Sequence, residues 1–324
     1  MAPKKKAAAK GGDEPDPLEV FLKAYRKNVK EYETPKIPEV ERILAKIQED
    51  GEPVAGWNFR EEIDPMAFRV LMHTLHQTNY PGIRALRLWR CRGGDEFVRS
   101  ICYYLDAIPS PNVEELQFVD TNMTPLGCDF VGRTLCRTGN AKITFLRLDF
   151  NKIGSEGAEA LAKGLAENAS IKHLSLQYCG ITSNGGVALS QMLMYVRSAL
   201  TEVLLRGNEL GREGAIDVLR GARRAQRLKC LDLSDNKFGD SDDVLDNLLY
   251  LFVNHTGIEE YRLLGNSITD AGAERLLQGI VGNTHLKTIM LPERISKQTL
   301  EAISQSLGGG GKGGKKKKGG RKKK

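Results

Sequence analysis

No apolar run in this 324-residue chain approaches the roughly 18 residues that a membrane-spanning helix requires. The chain opens Met1-Ala2-Pro3-Lys4, charged but with no apolar stretch behind it, so no secretory signal is expected. Ala2 stands where myristoylation would need glycine. None of the six cysteines forms a Cys-x-x-Cys pair. They read as reduced structural thiols of an intracellular protein, and the sequons at Asn122, Asn168 and Asn254 read as chance matches. Histidine is scarce. Among the five, only His73 and His76 share a helical spacing, and a zinc site needs three or four ligands. No Ser/His/Asp order, paired-carboxylate arrangement or nucleotide fingerprint stands out. Gly309 to Lys315 has the glycines of a phosphate loop, but Lys316 replaces the required Ser/Thr and no strand precedes it. These absences point to a protein without cofactor or metal that binds rather than catalyses.

What the chain does contain is repetition. Ile83-Arg-Ala-Leu86-Arg-Leu88 is echoed by units starting at Val113, Ile143, Ile171, Leu200, Leu228, Ile258 and Leu286. The steps are 30, 30, 28, 29, 28, 30 and 28 residues. Each unit reads L-x-x-L-x-L-x-x-N/C/T-x-L, with Cys91, Thr121, Asn151, Cys179, Asn208, Asn236 and Asn266 at the ninth position. A polar side chain there can satisfy backbone groups where the chain leaves a strand. The eighth unit has Arg294 instead, as a degenerate terminal repeat would. The second half of each unit is helical. Ile153, Gly157, Ala158, Leu161, Ala162 and Leu165 fall on one face. Gly followed by a small residue lets each helix start lie close to its neighbour. The sixth unit carries Asp242 and Asp243 there, which predicts a distorted or longer helix.

A period near 28 with long helices is the signature of a leucine-rich repeat solenoid. The units from Ile83 to Leu307 resemble the ribonuclease-inhibitor-like subfamily of these repeats. That resemblance implies an α/β solenoid, a horseshoe or arc with parallel strands on its concave face and helices on its convex face. The family includes nuclease inhibitors, GTPase-activating proteins for the small GTPase Ran, and many ciliary and flagellar scaffold proteins. The Ran reading lacks support in the carboxyl-terminal tail, where lysines replace the acidic run typical of those proteins.

Residues 16–82 precede the repeats and predict three helices, started by Asp16-Pro17, Pro38 and Asp64-Pro65. They are expected to form an N-terminal helical cap over the open end of the solenoid, with the first helix a possible docking segment. Leu18 to Leu44 resembles the lead-in before the repeats of ciliary ribonuclease-inhibitor-like proteins.

Charge is unevenly distributed. The whole chain is +7. Thirteen basic residues and no acidic ones lie in 1–12 and 308–324, leaving 35 basic against 41 acidic residues between them, a net −6. The segments 1–15 and 308–324 lack the apolar residues needed for a core, so both are expected to be disordered. The second one carries Lys315, Lys316, Lys317, Lys318, Arg321, Lys322, Lys323 and Lys324. Such a polycation could tether to tubulin's acidic tails or to nucleic acid, or serve as a nuclear import signal.

Strand alternation turns the third, fifth and seventh positions of each unit onto the concave face. The candidate protein-binding residues are Arg87, Trp89, Gln117, Phe145, Arg147, Phe150, Tyr178, Leu204, Arg206 and Arg262. Aromatic and Arg residues grouped on a surface suggest a protein interface. The resulting expectation is a scaffold of the ciliary or flagellar axoneme, located in the cytoplasm and cytoskeleton and bound to axonemal proteins or tubulin. The alternatives are a Ran-type GTPase activator and a nuclear or ribonucleoprotein adaptor.

Overall fold

The computed structural model describes residues 16–108, 111–136 and 142–307. The segments 1–15 and 308–324, with the tail lysines and arginine singled out above, lie outside the described residues.

Asp16 caps α1 (Pro17–Glu31) by accepting the Leu18 N–H, and α2 (Pro38–Asp50) follows. From there strand and helix alternate: β1 (Gly56–Phe59), α3 (Pro65–Thr78), β2 (Ala85–Trp89), α4 (Gly94–Ala107), β3 (Glu115–Val119) and α5 (Pro125–Thr134). Next come β4 (Phe145–Arg147), α6 (Gly154–Leu165), β5 (His173–Ser175), α7 (Ser183–Leu193), β6 (Glu202–Leu204) and α8 (Gly211–Ala222). β7 (Cys230–Asp232), α9 (Asp242–Asn254), β8 (Glu260–Arg262), α10 (Asp270–Ile280), β9 (Thr288–Met290) and α11 (Lys297–Ser306) complete the order. The strands form one parallel sheet in sequential order, β1 to β9, so this is an α/β leucine-rich repeat solenoid.

The two conserved-spacing leucines of each strand point between the sheet and the helix layer. Leu86, Leu88, Leu146, Leu148, Leu174, Leu176, Leu231 and Leu233 are each fully buried. Burying one such side chain stabilises by roughly 1.5–3 kcal/mol, and the repeat multiplies that term along the stack. Asn151 holds the turn that leaves each strand. Its Oδ1 accepts the N–H groups of Thr121 and Met123, at 3.0 Å each, and its Nδ2 donates to the carbonyls of Phe118 and Leu148. Asn208 does the same for Cys179, Ile181, Leu176 and Leu205 two repeats on. In the last unit Arg294 reaches back to the Asn266 carbonyl instead.

The sheet starts one repeat earlier than the leucine pattern. Gly56 pairs with Ala85 and Phe59 with Leu88, so β1 lies in register within the sheet and α3 belongs to its helix layer. Trp57 and Phe59, both buried, occupy the two leucine positions of a unit that the sequence hides behind aromatic residues. The remaining cap is α1 against α3 and α2 against β1. The first helix packs one face into the cap. Phe21, Leu22, Tyr25 and Val29 are buried, Asn28 bonds Thr74 and Gln77, and the Tyr25 hydroxyl accepts the Ile37 N–H. In the sixth unit α9 is continuous and has 13 residues, against 12 in α8 and 11 in α10. Among the described residues no helix is long and apolar enough to cross a membrane.

Candidate functional site

Parallel, in-register pairing places equivalent side chains of successive repeats side by side, about 5 Å apart. The concave face is therefore a set of ladders. Arg87 forms a fork with Glu115, Nε to Oε1 at 2.5 Å and Nη2 to Oε2 at 2.6 Å, and its third nitrogen donates to Asn58. This bond holds the Glu115 carboxyl below its ordinary pKa. Trp89 donates its indole N–H to Gln117 at 2.9 Å, and the Arg60 guanidinium lies 4.7 Å from the Trp89 ring. Phe145 stacks on His173, centroids 4.0 Å apart and planes within 5°, and the His173 Nδ1 meets Glu202 at 2.6 Å. Arg147 bonds Asp149, whose buried carboxylate also accepts from the Ser175 hydroxyl and the Gln177 N–H. Arg262 bonds Glu260 at 2.7 Å and comes within 4.0 Å of Glu202. Arg87, Arg147 and Arg262 thus each have a carboxylate partner. The floor is electrostatically paired and held in place before anything binds.

Two of the residues expected to face outward do not stand open. Gln117, which lies in register between the longer Arg87 and Arg147, is buried, and so is Leu204.

The exposed part of the site is the rim where the chain leaves each strand. The eighth residue of the first seven units adopts a left-handed backbone: Arg90, Asp120, Phe150, Tyr178, Gly207, Asp235 and Gly265. Its N–H continues the ladder to the next repeat, as Phe150 to the Gln177 carbonyl and Tyr178 to the Arg206 carbonyl. Glycine takes this conformation freely, and a bulky side chain pays of order 1–3 kcal/mol. Phe150 (φ 59) and Tyr178 (φ 53) are nevertheless aromatic here, and they are 50% and 41% exposed. Their rings stack at 4.8 Å with planes within 8°. Tyr178 lies flat over Gly207, where an added Cβ would come within 2.3 Å of its ring. Arg206, bonded to Asp235 at 2.8 Å, closes the end of this shelf.

Burial pushes the Cys91 thiol up to about 11 and those of Cys102, Cys179 and Cys230 up to about 12; Cys128 moves in the same direction for the same reason. Such thiols are poor nucleophiles at neutral pH. His73 and His76 turn their ring edges to Tyr32 and Tyr103. Among the described residues no group of three His, Cys, Asp or Glu side chains is arranged to hold a metal ion.

The leucine pattern reveals neither Arg60, which follows the hidden strand β1, nor a second set of backbone caps on the opposite edge. Asn168, His255 and Asn283 each accept two N–H groups ahead of the next strand and donate to a carbonyl of the previous repeat. Their position three residues before a repeat start is the signal that finds them. It also explains Asn168, whose amide is engaged within the fold.

A leucine-rich repeat family model matches residues 139–162, 167–190 and 226–242. Pig (Sus scrofa) ribonuclease inhibitor is 27% identical over 216 residues, covering 66% of this chain and 46% of the inhibitor. The mouse (Mus musculus) ribonuclease inhibitor is 24% identical, covering 57% and 40%. Human leucine-rich repeat-containing protein 73 is 27% identical over 136 residues, covering 41% and 42%. The chain spans less than half the length of these curated relatives. With nine in-register strands among the described residues, the asparagine ladder and these matches together, the chain carries a leucine-rich repeat solenoid similar to that of the ribonuclease inhibitors, and leucine-rich repeat proteins serve as protein-interaction scaffolds.

Proposed function

We propose that this protein is a non-enzymatic scaffold of the ciliary or flagellar axoneme that holds a protein partner on its concave face and the adjoining rim. The observation that carries the binding site is the Phe150–Tyr178 shelf. Two large aromatic side chains occupy strained backbone positions that Gly207 and Gly265 fill without strain, and both remain exposed. A fold that bears that cost without burying the rings has a use for them outside itself. The paired floor beside the shelf supplies fixed donors and acceptors, which favours specificity for one partner.

The axonemal assignment rests on the likeness of the repeats and of the Gly/Lys tail to flagellar proteins. In this reading the tail from Gly308 onward tethers the scaffold to acidic tubulin tails. The test uses the full chain. Phe150→Gly and Tyr178→Gly relieve the strained positions, so thermal stability should stay within about 1 kcal/mol of wild type. Retention on salt-washed axonemes should nevertheless fall. Removing Gly308–Lys324, or the tubulin tails with subtilisin, should lower microtubule co-sedimentation at low salt only, as counterion release requires. Full retention of both glycine variants would reject the shelf. Preferential, sequence-independent RNA or DNA binding would replace the axonemal reading with a nuclear or ribonucleoprotein one.

A further inference from the structure

The outer face of the helix layer follows a rule of its own. Phe68, Val98, Cys128, Ala158 and Ala215 are equivalent buried residues in α3, α4, α5, α6 and α8. Five residues further along each helix the side chain points to solvent, and there the sequence reads His73, Tyr103, Arg133, Lys163 and Arg220. Two residues before each buried position it reads Met66, Glu96, Leu126, Glu156 and Glu213. In α5, α6 and α8 five of these six outward positions are charged, Leu126 being the exception, as a solvated helix face should be. In α3 and α4 two of the four are large and apolar: Met66 is 46% and Tyr103 is 63% exposed, beside His73 and Glu96.

These departures fall together. Tyr32, 49% exposed at the end of α1, joins Met66, Val70, His73 and Tyr103 around a groove of about 390 Å³ on the outer surface of α3 and α4. Its lining includes Arg69 and Arg99 and no carboxylate. Arg69 is paired with Glu96, whereas Arg99 is exposed and has no ion-pair partner among the described residues. Grouped apolar residues with a free cation at their margin mark an interaction site, unlike single exposed apolar residues. The groove is lined from both α3 and α4. The same molecule shows what fits such a groove, because α1 lies on α3 through Phe21, Leu22, Tyr25 and Val29 along one helical face.

We propose that this convex groove is a second docking site, and that it takes an amphipathic helix of a partner protein with carboxylates beside its apolar anchors. The apolar stripe of such a helix seats between Tyr32 and Tyr103, and a carboxylate meets Arg99. The site is on the helix layer, remote in kind from the concave ladders, so one solenoid bridges two partners.

The test is fluorescence anisotropy with three labelled designed helical peptides on the full chain. One has apolar anchors at i, i+3, i+4 and i+7 with flanking Glu, the second has Lys in place of Glu, and the third is a scrambled sequence. The Glu peptide should bind at least about tenfold more tightly than either control. Tyr103→Glu and Met66→Glu should each weaken it at least about tenfold. Both side chains are exposed, so melting temperatures should not move. Arg99→Glu should reverse the preference toward the Lys peptide, and Tyr178→Gly should leave binding unchanged. Equal binding of the three peptides, or indifference to Tyr103→Glu, overturns the proposal. So does loss of binding in Tyr178→Gly, which would assign the peptide to the concave site. A wild-type dimer that Tyr103→Glu dissociates in sedimentation would also overturn it, since the occupant would then be a second copy of the chain.

Discussion

His255 does the work of an asparagine. It is buried, its Nδ1 accepts the N–H groups of Gly257 and Ile258, and its Nε2 faces the Ala225 carbonyl. Those partners require the neutral ring with its proton on Nε2. A second proton would sit on Nδ1 and point at two donors. Burial, aided by His285 and Lys229, accordingly holds its pKa below the ordinary 6.5. The sign follows from linkage. A group whose folded pKa is lowered contributes stability that is complete above its unfolded value and is lost as pH falls through the folded one. Asn168 and Asn283 perform the same capping with no titratable group. His255→Asn should therefore keep the stability of wild type at pH 7 and lose less of it between pH 6.5 and 4.5. His255→Ala leaves two N–H groups and a carbonyl without partners and should cost about 2 kcal/mol at pH 7, a gap that narrows as falling pH protonates the wild-type ring. Denaturant titrations across that range decide it, and parallel curves for wild type and His255→Asn would refute the assignment.

At the scale of the element, what fixes the solenoid is how closely adjacent helices approach. Between α5 and α6 the contact is backbone to backbone: a Cβ on Gly164 would lie 2.2 Å from the Gly132 carbonyl oxygen and 2.3 Å from its Cα. Alanine in a helix interior normally gains about 1 kcal/mol over glycine. Here the clash should outweigh that gain, so Gly164→Ala should destabilise by roughly 1–3 kcal/mol while Lys163→Ala beside it stays near neutral. A more stable Gly164→Ala protein would mean the two helices can separate at no cost. The Gly-small pairs that begin the helices were legible in the sequence, because they recur at the repeat period. Gly132 and Gly164 were less so, since a glycine in mid-helix carries no periodic mark of its own. The leucine positions were legible for the same reason as the Gly-small pairs, since a buried stripe tolerates few residue types. β1 was hidden because Trp57 and Phe59 fill the same space as leucines without matching them. Of the concave site, the outward positions could be counted off. The carboxylates that Arg87 and Arg206 meet, Glu115 and Asp235, lie one repeat away, and the cover over Gln117 comes from Arg87 and Arg147 on neighbouring strands, which one strand's sequence does not state.

For the whole molecule, stability is a sum over repeats and the contacts between neighbours. Removing Ile171–Ala199 takes out β5, α7 and their turns as one unit. Asn168 would then cap the N–H of Leu200 in place of Ile171, and Asn208 would serve the turn after β4 in place of the one after β5. Both ladders re-form, and β6 pairs with β4 in the register that β5 held. Removing Ile171–Ile181 instead deletes β5 and its turn but leaves α7, whose buried Leu189, Met192 and Leu193 lose the strand beneath them. Circular dichroism melts should show the whole-unit deletion folding cooperatively with a modest loss, and the half-unit deletion collapsing. Both remove Tyr178 and so break the aromatic shelf, which separates fold from function in a single comparison. The whole-unit variant should stay folded and yet lose the concave partner, while the groove on α3 and α4, several repeats away, still takes its helix. Equal collapse of the two variants would mean the repeats are not independent units, and the additive picture of this solenoid would fail.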